Sequence, residues 1–291
     1  MTKSHGIQAI EQPLASLPET YRRLILERIQ TLTHYEPVIG IMGKSGAGKS
    51  SLCNELFRGE ISPVSDVNAC TRDVLSFRLR SGRHSLMIVD LPGVGENGQR
   101  DQEYHALYRR MLPELDLVMW VIKADDRALS VDEHFWHGVM QPYQQQVLFV
   151  LNQADKIEPC HEWNIHTSTP SPQQQNNLKA KQAAITTMFT PRHPVCLVSA
   201  LTGWGIEEMV STMMRCLPDR ATSPVAMQLH GRLCTEQVML QARNGFGEAV
   251  GRILDSAESS SFLPATLKTV MRTVRDAVVS VARAVWDWIF F

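Results

Sequence analysis

Between residues 37 and 198, short apolar runs alternate with longer polar or helical stretches. The runs are Val38–Met42, Val74–Leu79, Ser85–Val89, Leu117–Ile122, Val147–Leu151 and Val195–Val198. Several lack the strict alternation of a half-exposed strand, the pattern of strands covered on both faces of a mostly parallel sheet. Strands and helices in turn predict an α/β, doubly wound domain over residues 35–218, with ligands at the carboxyl ends of its strands. Ahead of it, in segment 1–34, Tyr21, Ile25, Ile29 and Leu32 recur at helical spacing behind a capping box of Ser16 and Glu19. Residues 156–175 are polar and proline-containing and predict a loop, followed by a helix to about Phe189. Residues 219–224 (DRATSP) predict a linker. A helical extension then runs to residue 291 in three segments, with a serine-rich break at 256–261 before the last.

That last segment sets Leu267, Met271, Val274, Val278, Val281, Val285 and Trp288 at alternating spacings of four and three, a heptad-like seam. Three occupants are open for it: the rest of the chain, a protein partner or second copy, and a membrane surface met by its aromatic end WDWIFF. Gly247 and Gly251 stand four residues apart, which fits either close helix packing or a helix start with tolerated glycines.

Composition narrows the classes. Hydrophobic residues make up 44% of the 291, enough for ordinary cores, and the formal net charge is -1. Such a balance gives no global attraction to nucleic acid or acidic lipid. Six cysteines are scattered without a C-x-x-C pair, the mark of reduced thiols in a cytoplasmic protein. No apolar run approaches the ~20 residues of a membrane span, and the N-terminus lacks a signal-peptide pattern. Cys160, His161 and His166 lie close together but lack a second ligand pair, so plain loop residues are expected there. Asp125 and Asp126 read as a solvated turn after the run ending in VIKADD.

The chemistry is in five ordered motifs. GKSGAGKS (Gly43, Lys44, Ser45, Gly46, Ala47, Gly48, Lys49, Ser50), continued by Ser51, fits G-x-x-x-x-G-K-[ST] between a strand and a helix. Its glycines let backbone amides wrap phosphate, and the helix N-terminus adds positive potential. Lys49 is placed to reach the β- and γ-phosphates, and the Ser50 hydroxyl to ligate Mg²⁺. DLPG (Asp90–Gly93) ends an apolar run. Its carboxylate suits Mg²⁺, usually through water, and its Gly93 amide the γ-phosphate. NQAD (Asn152, Gln153, Ala154, Asp155) offers a carboxylate that accepts both the N1 proton and the amino group of guanine, a donor pair adenine lacks. In VSA the Ser199–Ala200 backbone suits the guanine oxygen. Thr71 precedes the second strand and is placed to close on Mg²⁺, with Ser65 as runner-up.

This ordered set resembles the Era/TrmE-like branch of the translation-factor-class GTPases, and most of all the YfjP-type proteins of bacteria and their prophages. The resemblance spans about residues 35–218. It implies a Ras-like fold, GTP and GDP as ligands, Mg²⁺ as cofactor, and switch loops near residues 60–73 and 92–104. Three positions depart from it: Gln153 stands for the usual lysine, Val94 for a water-orienting glutamine, and Gly46 for the asparagine that holds a potassium ion in some relatives. Slow hydrolysis is the expectation, until a partner or a second copy completes the site. An RNA-binding role of the Era kind is disfavoured, since residues 219–291 carry eight Lys/Arg against seven Asp/Glu and no GxxG loop.

Overall fold

The computed structural model describes residues 3–64, 75–93, 101–259 and 264–291. By its internal contacts the chain divides into two compact units. One comprises residues 37–217 with 228–233, and the other residues 1–36, 218–227 and 234–291.

The first unit is an α/β layer structure. Its strands are β1 (Val38–Met42), β2 (Glu60–Val64), β3 (Leu75–Ser81), β4 (His84–Asp90), β5 (Leu117–Lys123), β6 (Val147–Asn152) and β7 (Cys196–Leu197). They lie in the order β2-β3-β4-β1-β5-β6-β7. The five strands from β4 to β7 are parallel, and β2 and β3 form an antiparallel edge. This is the mostly parallel, doubly wound fold expected, and all six apolar runs contribute strands. The seventh, β2, was not foreseen. Its sequence EISPV has no apolar periodicity and contains Pro63, which an edge strand tolerates because it has no second neighbour to donate to. All of β6 and nearly all of β5 are buried, as strands covered on both faces must be. Trp120, Trp136, Phe149 and Phe189 stack and tilt against one another under the sheet, with ring centroids 5.1–6.3 Å apart for Trp120–Phe149 and Trp136–Phe189.

The second unit is helical and draws on both ends of the chain. It contains α1 (Lys3–Glu11), α2 (Glu19–Leu32), and the C-terminal helices Glu236–Glu258, Ala265–Ala284 and Trp286–Phe290. Ile10, Leu14, Ile25, Ile29, Phe246 and Trp286 fill its core. Four expectations need correction here. Helix α1 precedes the single N-terminal helix foreseen. Helix α2 starts behind Pro18, in extended conformation and without a side-chain cap, so Ser16 and Glu19 form no capping box. Pro18 disfavours helical backbone at residue 17, which moves the start downstream. The capping box that does form joins Ser171 and Gln174, at the head of the helix Pro172–Phe189.

The segment DRATSP is not a linker but the front of a helix, Asp219–Gln228, with Pro224 inside it. Proline there costs about 3 kcal/mol in isolation. Its place is secured by burial of Thr222 and Ser223, whose hydroxyls donate to the carbonyls of Asp219 and Ala242 at 2.9 and 3.0 Å. Finally, the C-terminal seam ends differently. Met271, Val278 and Val285 are buried as spaced, but the backbone turns at Val285 (φ -95°, ψ 6°). Trp286, Ile289 and Phe290 then face inward and Trp288 outward. The Trp286 indole donates to Ser223 Oγ at 2.8 Å.

Gly247 and Gly251 resolve as close packing. Both lie inside the Glu236–Glu258 helix against Arg283, Arg275 and Val279 of the next. The tightest glycine of the helical unit is Gly245, where an added Cβ would sit 2.2 Å from Thr222 Oγ1 and 3.0 Å from its Cγ2. Thr222 is itself buried and hydrogen-bonded and cannot retreat. We expect Gly245→Ala to lower stability by about 1–3 kcal/mol in chemical denaturation. Gly138→Ala, with open space around it, is expected to be neutral or stabilising by about 0.5 kcal/mol. Equal effects of the two would refute the packing account.

Candidate functional site

Strand β1 delivers the chain into residues 43–50, and the helix Lys49–Leu56 follows at once. Two glycines are fixed by their surroundings. At Gly43 (φ +140°) a Cβ would lie 2.1 Å from the Val121 carbonyl oxygen, and at Gly48 (φ +87°) 2.4 Å from Asn152 Nδ2. The loop is therefore pressed against β5 and β6, with Ser45 and Gly46 facing outward. Lys49 Nζ donates to the Gly43 carbonyl at 2.8 Å and stands 4.0 Å from Asp90 Oδ1. Ser50 and Ser51 are exposed at the head of the helix.

Asp90 ends β4. Its Oδ1 is buried and accepts no hydrogen bond among the described residues. Burial pushes its carboxyl above the usual range, against the pull of the Lys49 ammonium. Asp90, Lys49 and Ser50 share a cavity of about 190 Å³ with Cys53. An orphaned carboxylate oxygen beside a serine hydroxyl suits a hard cation that takes oxygen ligands, so the donor set fits Mg²⁺. Cys53 adds no nucleophile, since burial and then the Asp90 charge push its thiol up to about 12. Thr71, its runner-up Ser65, and Val94 lie outside the described residues, as does much of both expected switch loops.

At the far side, β6 ends at Asn152, buried at 1% exposure. Its amide donates to the Ala47 carbonyl at 2.9 Å, and its Oδ1 accepts from the Ala200 amide at 3.0 Å. Gln153 adopts a left-handed conformation (φ 64°) and donates from Nε2 to the Gly46 carbonyl at 2.8 Å. Asp155 Oδ1 accepts from Ser199 Oγ at 2.6 Å. The loop after β7 closes on itself through Ser199 N to Trp204 O and Gly203 N to Ser199 O, both 2.9 Å. Three segments more than forty residues apart in sequence thus meet on one rim: the glycine loop, NQAD and VSA. Gln153 stands where the resemblance implies a lysine, and its amide reaches the glycine loop.

Lys44 points elsewhere. Its ammonium pairs with Asp126 at 2.9 Å and Asp132 at 3.0 Å, and also bonds the Ala128 carbonyl. Burial lowers the lysine's pKa, but the two carboxylates outweigh it and the net shift is upward. Asp126 is therefore not a solvated turn residue, though Asp125 is exposed as expected. Burial alone would raise the Asp126 carboxyl. Lys44 and the Ala128 amide instead hold it below the ordinary range. Asp132 lies 88 positions from Lys44, and nothing local in the sequence marks the pair. A second unmarked contact is the Tyr108 hydroxyl, which donates to the Pro92 carbonyl at 2.6 Å.

Among the described residues no helix is long and apolar enough to cross a membrane. Comparison with known proteins agrees with the geometry. The family described as "50S ribosome-binding GTPase" matches residues 38–153. The chain is 53% identical to the uncharacterised protein YkfA of Escherichia coli K12 over 291 residues, all of both chains. It is 53% identical to YfjP of the same organism over 285 residues, 98% of each. GTPase Era of Aquifex aeolicus is 26% identical over 190 residues, 62% of this chain and 56% of that protein.

Proposed function

We propose, for a chain that belongs to the same GTPase family as YkfA and YfjP, that it works as a nucleotide-dependent switch with slow turnover of its own. As a GTPase it binds GTP and catalyses attack of water on the γ-phosphate, leaving GDP and phosphate. The observation that carries the choice of guanine is Asp155, held by Ser199 on the rim that Asn152 ties to the glycine loop. In this reading residues 43–51 wrap the phosphates, Lys49 neutralises their charge, and the Gly93 amide meets the γ-phosphate. Asn152 and Gln153 brace the rim on which Asp155, Ser199 and Ala200 read the base. Ser50, Asp90 and Thr71 hold Mg²⁺, which when bound neutralises charge developing on the phosphate oxygens.

Slow turnover rests on Val94, which cannot orient water. Residues 35–218 are the switch in this proposal, and segments 1–34 and 219–291 engage a protein partner or a second copy. In the helical unit Leu240, Trp288 and Phe291 remain exposed at 53%, 36% and 72%, which supports such a surface. The description of the matching family favours a second reading, in which that partner is the large ribosomal subunit. Co-sedimentation with ribosomal subunits at moderate salt, with GTP analogue against GDP, separates the two.

The test of slow turnover is phosphate release per molecule over a wide range of protein concentration, with ATP as control. A slow, flat rate supports help from another protein, and a rate rising with concentration supports a second copy. Rapid turnover by dilute protein overturns the proposal.

A further inference from the structure

Tyr108 is fully buried on the helix Asp101–Met111, wedged edge-on against Phe135 with ring centroids 4.8 Å apart. Its hydroxyl donates to the Pro92 carbonyl at 2.6 Å and lies 3.9 Å from Met42 Sδ, one residue before the glycine loop. The Pro92–Gly93 peptide is trans, so the Pro92 carbonyl and the Gly93 N–H lie on opposite edges of one rigid plane. Leu91, just before it, is fixed by its amide's bond to the Ile41 carbonyl at 2.8 Å. The hydroxyl therefore sets the rotation of this peptide plane, and with it the direction of the Gly93 amide.

We propose that Tyr108 is a positioning residue for γ-phosphate recognition, acting through the Pro92 carbonyl to aim the Gly93 amide. The proposal rests on the reading of Gly93 given above. A hydroxyl that grips one edge of the plane presents the other edge to a ligand at no cost in reorganisation when the ligand arrives. Without that grip the plane rotates freely, and a triphosphate must order it on binding. A diphosphate has no γ-phosphate to meet and is indifferent.

The test is the ratio of affinities for a non-hydrolysable GTP analogue and for GDP, in the presence of Mg²⁺, in Tyr108→Phe and the natural protein. Phenylalanine keeps the ring and removes only the hydroxyl. The analogue is expected to lose about tenfold while GDP stays within about twofold, because one hydrogen bond used in only one state is at stake. A ratio unchanged by the substitution overturns the proposal, whether both affinities fall together or neither moves. Should the Phe variant not fold, 3-fluorotyrosine at position 108 retains the packing and strengthens the donor. The ratio must then shift toward the triphosphate, and an unshifted ratio overturns the proposal. Failure of the natural protein to bind either guanine nucleotide would instead count against the function reading itself, so the two failures are distinguishable.

Discussion

Replacing Asp155 by Asn is expected to lower GTP affinity by roughly 10³-fold, from the loss of two charge-assisted hydrogen bonds at about 1.5–3 kcal/mol each. In the proposed reading the carboxylate accepts both the N1 proton and the exocyclic amino group of guanine. An amide in its place turns a donor toward that amino group and leaves the pair mismatched. Xanthine carries an oxygen where guanine carries the amine, so Asp155→Asn should regain affinity for xanthosine triphosphate. Ser199 Oγ, 2.6 Å from Asp155 Oδ1, can go on donating to the amide oxygen and hold the side chain in place. Competition binding with GTP, ATP and xanthosine triphosphate reads the outcome. Retention of GTP within tenfold would sink the assignment of Asp155 to the base.

Lys49→Met should cut GTP hydrolysis by about 10²–10³-fold, the usual loss when one preorganised donor to a developing charge is removed. Methionine keeps most of the length and apolar stem. What disappears is an ammonium that already bonds the Gly43 carbonyl at 2.8 Å and faces Asp90 at 4.0 Å. GTP binding should suffer more than GDP binding, since in the proposed reading the ammonium serves the β- and γ-phosphates together. Phosphate release under saturating nucleotide, alongside a melting curve, separates chemistry from folding. Turnover within threefold of the natural protein would remove Lys49 from the mechanism.

The glycine loop, DLPG and NQAD were legible along the chain because each is a short contiguous run, whose backbone chemistry depends on near neighbours. The strands they follow were legible for the same reason, as β1 and β6 show. Less local features were missed. The strand Glu60–Val64 lacks periodicity and takes its conformation from pairing with β3. DRATSP reads as a linker by composition, and only burial of Thr222 and Ser223 against the Glu236–Glu258 helix makes it helical. The inward turn of Trp286 in place of Trp288 depends on one backbone angle at Val285.

The sequence by itself determined the fold class, the order of the phosphate and base motifs, and the choice of guanine, since these are written in adjacent residues. Tertiary structure alone decided that Asn152 fastens the glycine loop to Ala200, that Lys44 turns to Asp126 and Asp132, and that Tyr108 grips the Pro92 carbonyl. It alone joined the first 36 residues and the C-terminal helices in one unit. Each of these contacts spans 16 or more positions of chain. Such pairs are fixed by close packing of whole elements, which no local pattern of residues encodes.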